Sequence, residues 1–274
     1  MIPQKVVDGI LIYGTLLWER NEEAPMGIVI TVTSGKGGTG KTSITGGIAA
    51  SLSAIGRTVL CIDMDIGLRN LDIALGLSDR ALMDFSDVAL GYCPLSRAAV
   101  EHPTLKGLSL LTAPMHLPAG LNEDNFGALL RTARSMYDYI LIDSPAGLGA
   151  GFQLAIAHAD RVLVVATNDA SSLRDAQRVV SELSHIRKVH LVMNRIQPQL
   201  LRRMRTTIDD AMNAAGLPLI GVVPEDAEVM ICANRGEPLT IRGRKGAGQA
   251  CWNIAQRLDG LSVPIMRIRK QGLF

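Results

Sequence analysis

Residues 27–33 (GIVITVT) run without a turn into Gly35-Lys36-Gly37-Gly38-Thr39-Gly40-Lys41-Thr42, and from Lys41 the pattern becomes helical as far as Ile55, where Gly56 stops it. Few folds accommodate a β-branched strand that feeds directly into a glycine-rich loop and then a helix. Such a loop curls until its own N–H groups face inward, and the helix adds the positive end of its dipole at the same point. The concavity suits an anion. The string matches G-x-x-x-x-G-K-[ST], in which the lysine reaches the β- and γ-phosphates of a nucleotide and the hydroxyl residue binds Mg²⁺. Lys41 and Thr42 take those places, and residues 35–43, ending in Ser43, form the expected nucleotide cradle. Lys36 is surplus to a simple cradle; on its own it reads as a solvent-exposed loop lysine.

Beyond the loop, strands are expected at 57–62, near 108–112, and at 139–142, 162–166, 189–193 and 219–223, with helices at about 122–136, 151–158, 171–184 and 200–215. Strands alternating with helices imply right-handed crossovers and a parallel sheet. The reading is α/β: a doubly wound, mostly parallel β-sheet flanked by helices, of the P-loop NTPase type, over residues 26–261. Composition agrees, since 47% of residues are hydrophobic but only 4% aromatic. A core of Ala, Gly, Val, Ile and Leu fits buried parallel strands better than an aromatic-rich sandwich. The four cysteines lack Cys-x-x-Cys spacing, so no disulfide framework, zinc site or iron–sulfur site is expected, and a reducing cytoplasm is the expected compartment. No stretch approaches the ~18–20 apolar residues of a membrane span. A formal charge of +2 does not itself argue for nucleic acid, and the clusters Arg202-Arg203-Arg205, Arg242-Arg244-Lys245 and Arg267-Arg269-Lys270 read as solvated faces and loops.

Asp63 and Asp65 follow the second strand, and Asp143 closes the apolar run Tyr139-Ile140-Leu141-Ile142. Aspartates often cap helices and turns. Two acids at strand ends after a phosphate loop point instead to the place where ligands collect in such sheets. Asp63 and Asp143 are therefore assigned, with Thr42, to the Mg²⁺ shell, and Asp65 to positioning the attacking water. Gly147 would let a backbone N–H approach the γ-phosphate.

The string K-G-G-x-G-K-T resembles the deviant Walker A loop of the ParA/MinD group of P-loop ATPases. With Ile62-Asp63-Met64-Asp65-Ile66-Gly67-Leu68-Arg69-Asn70-Leu71-Asp72, Asp143-Ser144-Pro145-Ala146-Gly147, Ser171-Ser172-Leu173-Arg174-Asp175, Gly221-Val222-Val223-Pro224-Glu225-Asp226 and Asn234-Arg235-Gly236-Glu237-Pro238, the chain from about 26 to 258 is similar to the MinD family of septum-placing ATPases. That resemblance implies ATP/ADP and Mg²⁺ as ligands and a homodimer formed on ATP. Lys36 would cross that dimer to the partner's nucleotide, making Lys36, Lys41 and Asp65 the catalytic set. It also implies that Asn194, Pro224, Glu225 and Asp226 lie around the adenine, although Asn194 alone would read as a strand-end turn residue. It implies slow hydrolysis acting as a timer. The implied partners are a MinC-like division inhibitor and a MinE-like or other positioning factor. The implied location is cytoplasmic, with peripheral association at the inner face of the cell membrane. Thr39 stands where the family usually has valine, a small change if the side chain points away from the phosphates.

Two other classes share the loop. A ParA-type partition ATPase would bind DNA nonspecifically, which Arg202–Arg205 permits but the Gly67-Leu68-Arg69-Asn70 switch and weak net charge oppose. A FlhG-type flagellar regulator usually carries an N-terminal Asp-Gln-Ala motif, absent from residues 1–25. Iron–sulfur carriers need cysteines near the second switch, and 143–149 has none.

The ends depart from the family pattern. Residues 1–25 lack the features of a secretory signal. Val6, Val7, Ile10, Leu11, Tyr13, Leu17 and Trp18 share one face of a helical wheel, so one reading is an amphipathic segment; the favoured one is an upstream translation start, with Met26 opening the domain. In the tail, 262–274, Ile265, Met266, Ile268, Leu273 and Phe274 spread widely around a helix, with Arg269 and Lys270 among them. Weak binding to an anionic membrane, aided by two copies in a dimer, and a disordered tail are both open.

Overall fold

Residues 26–240 and 243–266 are described by the computed structural model, together with the backbone of Val6–Val7 and Ile10–Leu11. Val6–Val7 (β1) pairs antiparallel with Ile10–Leu11 (β2), so these residues form a short ladder rather than the helical face of the amphipathic reading. Tyr13, Leu17, Trp18, Arg242 and the tail beyond Met266 lie outside the described residues.

The main domain then runs Ile28–Thr33 (β3), Lys41–Ala54 (α1), Val59–Asp63 (β4), Leu71–Leu75 (α2), Phe85–Ala89 (α3), Leu95–Ala98 (α4), Val100–Glu101 (β5), Leu108–Leu111 (β6) and Glu123–Met136 (α5). It continues with Tyr139–Asp143 (β7), Ala150–Ile156 (α6), Arg161–Ala166 (β8), Ala170–Glu182 (α7), Lys188–Ile196 (β9), Pro198–Met204 (α8), Ile208–Ala215 (α9), Leu219–Pro224 (β10), Ala227–Arg235 (α10) and Gly246–Leu258 (α11).

The strands form one sheet in the order β10-β9-β8-β3-β7-β4-β6-β5, parallel throughout except for β5. Burial on both faces explains why β4, β7 and β8 read as unbroken apolar runs rather than alternating ones. Ile30 and Val32 point into a core shared with α1, α2, α10 and α11. Val29 and Ile142 point the other way, toward α3, α4 and α5, and Val162 and Val164 pack on that face beneath α6, α7 and α9.

One expected element divides. The helix anticipated at 200–215 is two, α8 and α9, because Arg205 takes the left-handed conformation (φ 55°) and Thr207 then caps a fresh helix in reciprocal bonds with Asp210. Helices α2, α3, α4, α10 and α11 had not been expected.

At the amino edge of the sheet, Arg257 holds the start of the C-terminal segment. Its guanidinium donates to the carbonyls of Ile220, Val263 and Pro264, and burial lowers its pKa to about 10. Met266 packs on the core beyond it. Among the described residues no helix is long and apolar enough to cross a membrane.

Candidate functional site

β3 sits where the chain reverses its direction of winding: it leads across β7 to β4 on one side, whereas β7 leads across β3 to β8 on the other. The carboxyl edge at such a point opens into a crevice. The loop 34–40 lies there, and Lys41 opens α1 beneath it.

The loop is held from within and from below. Ser34 Oγ donates to the Lys36 carbonyl at 2.7 Å. Asn194 Nδ2, from β9, donates to the Thr39 carbonyl at 2.8 Å. Gly40 has φ 90°, and a Cβ there would fall 2.3 Å from that same Asn194 nitrogen, so both the backbone and the space demand glycine. Lys41 is only 9% exposed; burial lowers its pKa, while Asp143 and then Asp65 act to keep it charged.

The two strand-end acids meet because β4 and β7 pair in register, with Asp63 opposite Asp143. Each is 1% exposed. Burial, then the charge of Asp63, pushes Asp143 up to about 7, against the pull of Thr42, Lys41 and Thr45. Burial pushes Asp63 up to about 6, although its oxygens accept the N–H groups of Asp65 at 2.9 Å and Leu71 at 3.1 Å. Asp63 thus shapes the loop carrying Asp65 as well as supplying charge. The Asp65 carboxylate lies at the limit of a hydrogen bond from Asn70 Nδ2, at 3.5 Å. Gly147 has φ 85° and open space where a side chain would be.

Among the described residues no group of three or more His, Cys, Asp or Glu could hold a metal. That rules out an all-protein cage there but fits Mg²⁺, which keeps waters and takes one or two carboxylates plus phosphate oxygens. The Thr42 hydroxyl and the Asp143 carboxylate are hard oxygen donors close enough that Thr42 favours the Asp143 charge, with Asp63 opposite Asp143 across the strand pair.

On the outer side of the loop lies a cleft of about 360 Å³, lined by Lys36, Gly38, Asn168, Asp169, Arg195 and Glu225 among others. Lys36 Nζ is 3.0 Å from Asp169 Oδ1. Burial works against the Asp169 charge, but the Thr167 hydroxyl, the Ser172 N–H and Lys36 together hold its pKa below the usual carboxylate range. Arg195 binds Glu225 at 2.8 Å and reaches the Gly38 carbonyl at 3.4 Å. Glu225 therefore borders the cleft, and Pro224 ends β10 beside it. Asp226 follows it, and its oxygens accept the N–H groups of Glu228 and Ala247, tying α10 to α11. Asn194 lies at the loop floor, with its amide nitrogen committed to Thr39.

Thr45, Asp169 and Arg195 had not been singled out from the sequence. Thr45 sits one helical turn after Lys41, and Asp169 precedes Ser172 in an N-cap pattern, so both signals were present. Nothing local marks Arg195.

A buried lysine, a threonine and paired strand-end carboxylates around a glycine loop on a doubly wound sheet define a P-loop nucleotide-binding protein, with a second lysine that marks the deviant Walker A type. The model of the CobQ/CobB/MinD/ParA nucleotide-binding domain matches residues 30–239. The septum site-determining protein MinD of Helicobacter pylori is 40% identical over 262 residues, covering 91% of this chain and 97% of its own. The MinC:MinD cell division protein complex of Aquifex aeolicus superposes with a TM-score of 0.82 at 37% identity, over 88% of this chain and 99% of that one. MinD of Pyrococcus horikoshii, solved with Mg-ADP, gives 0.72 at 27% identity, over 85% and 96%. The chain belongs to the MinD family of septum site-determining proteins, within the CobQ/CobB/MinD/ParA nucleotide-binding domain family.

Proposed function

We propose that the chain is a Mg²⁺-dependent ATPase that dimerises on ATP, associates with the membrane and regulates where the division septum forms. The observation that carries this reading is the pairing of Asp63 and Asp143 beside the buried Lys41, with a second lysine, Lys36, on the open rim of the same loop.

In this reading the loop N–H groups and Lys41 neutralise the β- and γ-phosphates. Thr42 and Asp143 hold Mg²⁺, with Asp63 acting from behind. When bound there, Mg²⁺ would supply positive charge against the phosphates. Asp65 orients the water that attacks the γ-phosphate, releasing ADP and phosphate. The Gly147 N–H faces the γ-phosphate and registers its loss. Lys36 leaves Asp169 and reaches the nucleotide of a second copy. Glu225 and Arg195 border the adenine, and Asn194 acts by holding the loop rather than through its amide nitrogen. The tail, 262–274, supplies the contact with an anionic inner membrane surface. The relative solved with MinC supports a MinC-like partner for this chain, and a MinE-like or other factor would position it.

Sedimentation with anionic liposomes and size-exclusion light scattering, each with ATP and with ADP, test the reading on wild type, Lys36→Ala and Asp65→Ala. Asp65→Ala should dimerise on ATP and stay on the liposomes, because it is loaded but does not hydrolyse. Lys36→Ala should remain monomeric. A Lys36→Ala protein that dimerises like wild type refutes the cross-dimer role. ATP-dependent, salt-sensitive DNA binding without liposome binding would replace the reading with a partition ATPase.

A further inference from the structure

Thr45 lies four residues after Lys41 and three after Thr42, so all three side chains leave the same side of α1. Its hydroxyl is fully buried, 3.0 Å from the Lys41 carbonyl and 3.2 Å from Asp143 Oδ1. A threonine inside a helix usually gives its proton to the carbonyl one turn back. Ser51, equally buried on the same helix, does so to Gly47 at 2.7 Å. Thr45 differs in having a carboxylate as a second acceptor for its single proton, and a charged acceptor makes the stronger hydrogen bond.

Thr42 also favours the charged form of Asp143. Thr45 is the residue of α1 whose hydroxyl lies within hydrogen-bond distance of the Asp143 carboxylate, which faces Asp63 across the register pair. We infer that Thr45 is a positioning residue, whose hydroxyl fixes the Asp143 carboxylate so that its other oxygen is presented to Mg²⁺. This inference rests on the Mg-nucleotide reading of the site.

The test is binding of a fluorescent ADP analogue to the full chain, first in EDTA and then along a Mg²⁺ titration, for wild type, Thr45→Val, Thr45→Ala and Thr45→Ser. Thr45→Val and Thr45→Ala should bind nucleotide in EDTA as wild type does, yet need about tenfold more Mg²⁺ for the half-maximal response. Thr45→Ser, which restores the hydroxyl, should return to within about twofold of wild type. Mg²⁺ curves that superimpose on wild type overturn the inference. So does an equal loss of affinity with and without Mg²⁺, because that marks a displaced helix. Wild type that binds nucleotide but ignores Mg²⁺ would overturn the cation reading itself, a failure distinguishable from that of Thr45.

Discussion

Asp143→Asn should make the nucleotide-free protein more stable at slightly alkaline pH, and the gain should vanish in mild acid. Asp143 is displaced from the ordinary 3.8 to about 7, chiefly by burial and then by Asp63. Across that window the folded chain keeps a proton that the unfolded chain releases, so wild-type stability falls as pH rises from about 4 to about 7. The roughly three pH units, at about 1.4 kcal/mol each, set a ceiling of about 4 kcal/mol. Local relaxation and sharing of charge with Asp63 bring the expected value nearer ~2 kcal/mol. Asparagine removes the charge while keeping an oxygen to accept from Thr45. Urea unfolding of protein stripped of nucleotide and Mg²⁺ should thus favour the variant by ~2 kcal/mol at about pH 8, with the two curves meeting only at about pH 4 and below. Saturating Mg-ADP should reverse the order, because a ligand that binds only the folded state adds RT ln(1 + [L]/Kd) and the variant has lost a cation ligand. A variant less stable than wild type at both pH values would refute the reasoning: the carboxylate would then be a structural anchor, not a charge held ready for a cation.

Thr39 Oγ1 is buried with no hydrogen-bond partner, so Thr39→Val should stabilise the protein by about 1 kcal/mol in urea unfolding and leave nucleotide affinity unchanged; a loss of stability would show that the hydroxyl is satisfied in solution. Gly40→Ala places a Cβ against Asn194 at a residue with φ 90°, and should weaken nucleotide binding by about 30-fold or more in a fluorescence titration. Gly37→Ala meets nothing within 4 Å, so its melting temperature should match wild type, and any loss of nucleotide affinity then reports contact with the ligand itself.

The parts of the fold legible in the sequence are those buried on both faces. β3, β7 and β8 appear as short runs rich in β-branched and other apolar residues, and their bounds fall within a residue of expectation. Helices of five residues or fewer, such as α2 and α3, carry too little of the 3.6-residue period to be seen. The break between α8 and α9 was hidden for another reason: the left-handed stop is Arg205, without the glycine that usually announces one. α11 was obscured by its own glycines, Gly246 and Gly248, which read as loop but lie in its first turn.

Legibility of the site follows sequence separation and competing local roles. The loop and the strand-end acids are local patterns, and the structure brings them to one edge of the sheet. The Lys36–Asp169, Thr39–Asn194 and Gly38–Arg195 contacts join residues 133, 155 and 157 apart, and only the sheet order brings them together. Asp226 shows a competing local role. It belongs to the same Pro-Glu-Asp string as Glu225, and the family resemblance assigned both to the adenine. Yet an aspartate immediately before a helix satisfies otherwise orphaned N–H groups first, and Asp226 does this for Glu228 while also anchoring Ala247. Glu225, with no helix to cap, is left to Arg195 and the cleft. Adjacent acids in one motif therefore divide between cleft rim and scaffold according to which backbone donors lie in reach. By the same logic Asp63, whose oxygens already hold Asp65 and Leu71, is the less available cation ligand, and Asp143, whose carboxylate accepts from the Thr45 hydroxyl, is the more available one.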